Sequence, residues 1–149
     1  MMRQINVVQM MAILLCFSVL LSGCGIVETV ALKSDPVAED YLIKMLAAIE
    51  NTDVDGAYSL FAENTVQYDD IEKSMEVLKS FWGGGEYTYE LVYVGVRQAA
   101  GTSGKKVIKE RTYRVTTTER DYLVEVNYYD DETGLAGFRI NLPSSTGNN

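Results

Sequence analysis

The sequence contains no histidine, and this absence removes several kinds of chemistry at once. Without an imidazole there is no Ser–His or Cys–His nucleophile pair, no histidine-containing zinc site, and no access to the commonest general base. A phosphate-binding glycine loop is also missing, because Gly83-Gly84-Gly85 is expected to follow a helix rather than to join a strand to one. We therefore expect neither a metal nor an organic cofactor.

The chain is also poor in cysteine and lacks a long apolar segment. Arg3 precedes an apolar run over residues 7–21, which is shorter than the about 20 residues needed to span a bilayer. This arrangement predicts an export signal that is cleaved off rather than a transmembrane helix. Cleavage would remove Cys16 and leave Cys24 as the single cysteine, so the mature chain could form no internal disulfide.

The residues that end the apolar run, Leu21-Ser22-Gly23-Cys24, resemble the lipobox of bacterial lipoproteins. The resemblance implies that a signal peptidase cleaves between Gly23 and Cys24, and that the Cys24 thiol carries a diacylglyceryl group with acyl chains such as palmitate. Two acyl chains give stable membrane anchoring. The expected location is the extracytoplasmic face of the cell membrane, or the outer membrane if the source is Gram-negative. The alternative, an ordinary cleaved signal, would leave Cys24 as a lone free thiol on a secreted protein.

Basic residues are scarce in the first half of the mature chain. Residues 35–90 hold 13 acidic side chains and three lysines, whereas residues 91–149 hold eight basic and seven acidic ones. An acidic domain repels nucleic-acid phosphates and anionic lipid headgroups, so we expect no nucleic-acid partner and a membrane attachment made by the acyl anchor. The acidic half would suit a basic partner, or it is simply the solvated surface of helices.

Apolar residues at helical spacing predict three helices between residues 35 and 82. Asp35-Pro36 forms an N-cap with Pro in the first turn, and Asp53 is expected to cap a shorter helix over residues 54–62. Asp69 or Asp70 is expected to cap the third helix, which Gly83-Gly84-Gly85 ends. The apolar stripes of the second and third helices are Ala57, Leu60, Phe61, Ile71, Met75, Leu78 and Trp82.

After Gly85 the sequence alternates and is rich in Tyr and Val, which predicts strands over residues 86–98, 106–118, 122–129 and 137–142. In the first strand one face is expected to carry Tyr87, Tyr89, Leu91 and Tyr93. In the second strand one face is expected to carry Arg111, Tyr113, Val115 and Thr117. The turn between these two strands is expected at residues 99–104.

Three helices followed by four long strands predict an α+β fold, with the helices packed on one face of a curved four-stranded antiparallel sheet. Residues 48–61 and the Tyr-rich strands resemble the nuclear transport factor 2-like superfamily, which implies a cone with a pocket between sheet and helices. Residues 131–140 are similar to uncharacterised lipoproteins of Gram-positive bacteria. The expected organisation is a signal peptide (1–23), a lipidated cysteine and spacer (24–34), the cone domain (35–142) and a disordered tail (143–149).

Tyrosine rings are the candidate lining of such a pocket: Tyr41, Tyr58, Tyr89, Tyr113 and Tyr128. Some members of the superfamily transfer protons with an Asp base and a Tyr donor, but no carboxylate here matches the position of that base. The same tyrosines would also fit the edge of an ordinary core. We therefore expect a non-catalytic binding module, with a small enzyme that uses Tyr and Asp as the alternative.

Two acidic stretches match metal sites only in part. Residues 51–56 place oxygens at positions one, three and five and Gly at position six of a calcium loop, but position twelve is Ala62 instead of Glu. A helix-capping turn explains the same residues. Asp130-Asp131-Glu132 is a carboxylate cluster for which a solvated hairpin turn is the simpler interpretation.

Two kinds of partner fit a binding module of this type. One is a small amphipathic ligand in the tyrosine-lined pocket, and the other is a protein that binds the sheet or the acidic helices. The membrane itself is a partner through the lipid on Cys24. A role in toxin immunity or in an envelope complex is a further hypothesis, motivated by the location and size of the protein.

Overall fold

The structure is a computed structural model that describes residues 32–101 and 104–143. The predicted signal peptide, Cys24, most of the spacer and tail residues 144–149 lie outside the described residues. Within the described part, three helices precede four strands: α1 (Pro36–Asn51), α2 (Val54–Ser59), α3 (Tyr68–Trp82), β1 (Tyr87–Gly101), β2 (Gly104–Thr117), β3 (Asp121–Tyr129) and β4 (Leu135–Asn141). This order confirms the predicted α+β fold. None of these three helices is long and apolar enough to cross a membrane.

The first two helices begin at the predicted N-caps. Oδ1 of Asp35 accepts a hydrogen bond from the Ala38 amide at 3.2 Å, and Oδ1 of Asp53 accepts one from the Gly56 amide at 2.9 Å. These bonds satisfy amides that have no partner within their own helix. The second helix ends at Ser59, which is earlier than predicted.

The predicted N-cap of α3 is wrong. Gln67 occupies that position without a side-chain cap, and Asp69 and Asp70 lie in the first turn, as the second and third residues of the helix. Carboxylates in a first turn are stabilised by the partial positive charge of the helix N-terminus, which explains why these residues occur here without capping it. Gly83 ends the helix as predicted, with a φ of 74° that glycine adopts without strain.

The strands form one antiparallel sheet in the order β1-β2-β3-β4, and the sheet does not close. Strand β4 is one edge, and the chain after α2 partly covers it. The Leu135 amide donates to the Leu60 carbonyl at 2.8 Å, and the Ala62 amide donates to the Leu135 carbonyl at 3.1 Å. Gly134 permits this approach, because a Cβ at that position would lie 2.5 Å from the Ala62 nitrogen.

An extra residue in β1 reverses the expected face of Tyr93. Leu91 pairs with Tyr113, but Tyr93 pairs with Thr112, so Val92 has no counterpart on β2. Such a bulge moves every later side chain of the strand to the other face. Tyr93 is accordingly 52% exposed on the outer face, and the prediction that it shares a face with Leu91 is wrong.

The core lies between the helices and one face of the sheet. Its largest fully buried side chains come from α1, α3 and three strands: Leu42, Leu46, Ile49, Met75, Trp82, Tyr113, Val115, Val124, Val126, Tyr128 and Leu135. The Trp82 ring lies 5.2 Å from the Tyr122 ring and 5.4 Å from the Tyr87 ring, between centroids. These contacts attach the end of α3 to the beginning of β1 and of β3.

Candidate functional site

Four of the five predicted pocket tyrosines lie near one another, between α1 and the sheet. Tyr113 of β2 and Tyr128 of β3 are buried, at 0% and 2% exposure. Tyr41 of α1 packs against Tyr128 with 5.9 Å between ring centroids, and Tyr89 of β1 packs edge-on against Tyr113 at the same distance. The sequence prediction therefore brought together residues that are neighbours in the fold.

Tyr58 is separate from this group. It lies near the end of α2, is 40% exposed, and packs edge-on against Tyr68 with 5.3 Å between ring centroids. The Tyr68 hydroxyl donates to Asp55 at 2.8 Å. Tyr58 therefore belongs to a surface contact between α2 and α3.

The carboxylate of Asp35 bonds Tyr128 of the tyrosine group, a contact that the sequence did not reveal. Its Oδ1 caps α1, while its Oδ2 accepts a hydrogen bond from Arg111 Nε at 2.7 Å and another from the Tyr128 hydroxyl at 2.8 Å. The Asp35 and Arg111 side chains are only 13% and 11% exposed. One carboxylate thus joins the beginning of α1 to β2 and β3.

Arg111 holds this carboxylate with a guanidinium that is itself fixed. Its Nη1 donates to the Gly95 carbonyl at 3.1 Å and to the Glu110 carbonyl at 2.9 Å. The sequence did indicate that Arg111 is unusual, because alternation places it on the same strand face as Tyr113 and Val115. A charged side chain on the apolar face of a strand needs a buried partner of opposite charge.

The ionisation of the group follows from these contacts. Burial alone would raise the pKa of Asp35, but hydrogen bonds from Tyr128, the Ala38 amide and Arg111 hold the pKa below its ordinary value. Burial and the hydrogen bond to Asp35 raise the pKa of Tyr128, and burial with the nearby Glu39 and Asp35 charges raises that of Tyr113. The result is a weakly basic carboxylate and weakly acidic phenols, which is the opposite of what proton transfer near neutral pH requires.

The residues of the partial calcium motif have local partners. Asn51 is the last residue of α1, and its Nδ2 donates to the Ala47 carbonyl at 2.9 Å. Asp53 caps α2, and Asp55 accepts the Tyr68 hydroxyl. In the residues that the structure describes, no group of three or more potential metal-ligating side chains comes together.

The second acidic stretch forms the turn between β3 and β4. Asp131 accepts hydrogen bonds from the Thr133 amide at 3.2 Å and the Thr133 hydroxyl at 2.8 Å, and these bonds hold the pKa of Asp131 below its ordinary value. Asp130 pairs with Lys109 Nζ at 2.7 Å. The contacts are those of an exposed hairpin turn.

A separate apolar groove opens between the helices and β4, with a volume of about 360 Å³. The apolar stripe of α3 forms one wall, and the inward face of β4 forms the other. The full lining is Met45, Ala57, Phe61, Val66, Asp70, Ile71, Ser74, Met75, Leu78, Gly137, Phe138, Arg139 and Ile140. Most of this lining is aliphatic or phenylalanine, and none of the five predicted tyrosines belongs to it.

The polar residues of the groove lie at its solvent-facing border. Asp70 and Ser74 are exposed residues of α3, and the Arg139 side chain on β4 is 70% exposed. The Ser74 hydroxyl donates to the Asp70 carbonyl at 2.7 Å, and Arg139 lies 3.5 Å from Glu125. The groove therefore has an apolar interior, with charges of both signs only near the solvent.

Comparison with known proteins places the chain in a family. The model of the family described as "Domain of unknown function (DUF5104)" matches residues 44–135, which is more than half of the chain, so the protein belongs to this family. The match includes Arg111, Tyr113 and Tyr128, but Asp35 precedes it and Phe138 follows it. No curated protein and no solved structure matches.

Asp35→Ala should lower the free energy of unfolding by about 3 kcal/mol, because the largely buried guanidinium of Arg111 loses its carboxylate. Asp53→Ala is a matched control: it also removes a helix N-cap, but the bond lost is only that to the Gly56 amide, so it should cost about 1 kcal/mol. Urea denaturation of both variants measures the difference. Equal costs would contradict the central role of Asp35.

The loss of stability in Asp35→Ala should depend on pH. The pKa of Asp35 in the folded protein lies below its ordinary value of 3.8, so its stabilising contribution is complete above that pH and is lost as the pH falls through the lower value. The stability difference between the natural protein and Asp35→Ala should be constant near neutrality and shrink below about pH 4. A difference that grows on acidification would contradict the assigned ionisation.

Proposed function

We propose that this protein is an extracytoplasmic lipoprotein, anchored through Cys24, whose α+β domain is a non-catalytic module that binds a small amphipathic ligand. The observation that carries the ligand-binding part is the apolar groove between α3 and β4. Its volume falls within the range of small-molecule sites, and its lining combines an apolar interior with a few polar groups, as such sites usually do.

The sequence of the N-terminal segment supports the anchor. Arg3, the apolar run and Leu21-Ser22-Gly23-Cys24 follow in the order of a lipoprotein signal. Two acyl chains on Cys24 would hold the domain stably at the membrane surface, with a free energy of about 0.8 kcal/mol for each buried methylene. A spanning helix would not be needed.

The composition of the groove supports an amphipathic ligand. Met45, Met75 and Phe61 offer soft, polarisable contacts for an apolar chain or ring. Asp70 and Arg139 offer one charge of each sign at the solvent-facing border, where a polar group of the ligand would remain hydrated. The ligand expected is a molecule with an apolar body and one polar end.

Two features support binding without catalysis. The carboxylate and phenols of the tyrosine group are bonded to one another, and their pKa values are shifted away from the range in which they would exchange protons at neutral pH. The groove lining contains Ser74 as a hydroxyl nucleophile candidate, but this hydroxyl donates to the Asp70 carbonyl of its own helix. Neither arrangement contains an activated nucleophile.

We also infer kinship with the nuclear transport factor 2-like superfamily. The order of three helices and a four-stranded antiparallel sheet, with an apolar groove between the two layers, supports that relation. Fold-level similarity carries no activity by itself, so the proposed ligand rests on the groove alone.

Cys24→Ser should abolish incorporation of a labelled fatty acid into the protein and leave the signal peptide uncleaved, because serine offers no thiol for the thioether. Metabolic labelling followed by gel electrophoresis measures both effects. Cys16→Ser is the matched control and should label as the natural chain does. Labelling that persists in Cys24→Ser would contradict the anchor.

Ser74→Phe should weaken binding of the amphipathic dye 1-anilinonaphthalene-8-sulfonate by about tenfold, equivalent to about 1.4 kcal/mol, because the added ring occupies the groove. Ser80→Phe is the control: Ser80 is also an exposed serine of α3 that donates to a carbonyl of its helix, but it does not line the groove. Fluorescence titration measures both affinities, and circular dichroism verifies folding. Equal affinities in the two variants would contradict a ligand site in the groove.

A further inference from the structure

The paired ends of β1 and β2 extend beyond the rest of the sheet. Residues 98–101 of β1 pair with residues 104–107 of β2, and β3 joins the ladder only from the pair of Ile108 with Tyr129 onwards. We call residues 94–101 and 104–109 the arm. Its side chains on the helix side of the sheet lie beyond the core that α1 and α3 cover.

One face of the arm exposes apolar side chains. Val94 is 43% exposed and Val96 is 65% exposed, and both lie on the same face as Arg111, because Val94 pairs with Arg111 across the ladder. Further along this face Ala100 pairs with Lys105. The two valines form an exposed apolar patch on β1, which is an edge strand of the sheet.

The described chain begins on this same face. The Asp35 carboxylate bonds Arg111, whose Nη1 also bonds the Gly95 carbonyl between the two exposed valines. Leu32 precedes Asp35 by three residues. The seven residues between Cys24 and Leu32 allow a separation of at most about 28 Å when the chain is fully extended. A lipid on Cys24 would therefore hold the bilayer within reach of this face.

The charges of the domain favour the same orientation. The segment of residues 36–82 carries ten acidic side chains and three lysines. In the arm, Arg97 pairs with Glu110 and Lys109 pairs with Asp130. Lys106 lies on the opposite face, with its Nζ 4.8 Å from the centroid of the Tyr129 ring, whereas Lys105 is exposed on the face of the two valines. An anionic surface repels the helices and attracts Lys105, by about 1 kcal/mol.

We propose that the helix-side face of the arm contacts the anionic lipid bilayer that holds the anchor, with Val94 and Val96 at the interface and Lys105 among the headgroups. This inference rests on the proposed lipid anchor. A contact of a few kcal/mol would be weak for a free protein, but the anchor makes it intramolecular and therefore effective. The arm thus orients the domain, and the acidic helices and the groove face away from the membrane.

A fluorescent probe at position 96 tests the contact. In the processed full chain with Val96→Cys, Cys24 is lipidated and Cys16 has been removed, so position 96 carries the single free thiol. The thiol is labelled with nitrobenzoxadiazole, and the protein is reconstituted in vesicles of phosphatidylglycerol and phosphatidylcholine whose acyl chains carry a quencher. The matched control is Val77→Cys on α3, because Val77 is 66% exposed and Val96 is 65% exposed.

The probe at position 96 should be quenched at least about threefold more than the probe at position 77, because an interfacial side chain lies within reach of the acyl region. Lys105→Glu should reduce this difference, while Lys73→Glu on α3 should leave it unchanged. Equal quenching at the two positions would overturn the contact while leaving the anchor intact.

Two other results would also overturn the inference. A position 96 probe that is equally shielded in detergent micelles and in vesicles would show that the spacer or a second copy of the chain covers the valines. The mass of the intact protein shows independently whether Cys24 carries diacylglycerol. A chain without this lipid would refute the proposed anchor and the contact together.

Discussion

The carboxylate of Asp35 connects parts of the molecule that lie far apart in the chain. It bonds Arg111, 76 residues away, and Tyr128, 93 residues away, while it caps the helix that follows it. A charge with so little solvent exposure is tolerated only because two donors and an amide satisfy it. Through this one group the beginning of α1 is fixed against the middle of the sheet, and the position of the tyrosines follows.

The attachment of the beginning of α1 to the sheet explains why the tyrosine group and the apolar groove are separate. Near Asp35 the space between helix and sheet is filled by Tyr41, Tyr113 and Tyr128, and burial raises the pKa values of these phenols. Further along, α3 contacts the sheet chiefly through Met75 and Trp82, and the apolar groove lies beside them. The polar cluster therefore serves the architecture, and the groove is the part of this interface that a ligand could enter.

Local patterns in the sequence were sufficient for the helices, the four strands and two of the three helix caps, although residues 99–101 and Gly104, expected in the turn between β1 and β2, belong to those strands. They also predicted the shared face of Arg111 and Tyr113, because alternation in an uninterrupted strand has a fixed period. They failed at Tyr93, because the extra residue in β1 can be recognised only from the pairing of β1 with β2. The bonds of Asp35 were equally hidden, because a capping carboxylate looks the same whether its second oxygen meets water or a distant arginine.

The lining of the groove could also be predicted only in part from the sequence. The stripe of Ile71, Met75 and Leu78 was visible from helical spacing, but the opposite wall at Phe138 depends on how the edge strand lies against α3. The sequence favoured tyrosines for the lining because they are numerous and amphipathic. The structure instead uses most of them to pack helix against sheet, so their number reflected the core and its border.

Native mass spectrometry of the full lipidated protein, purified in mild detergent from its own cells, tests the central claim most directly. A module that binds a small amphipathic ligand should carry an added mass of a few hundred daltons beyond the lipid on Cys24, as expected for a groove of this volume. This mass should disappear when the groove is blocked. A protein that carries only its anchor lipid, or that keeps the added mass with the groove blocked, would contradict the account.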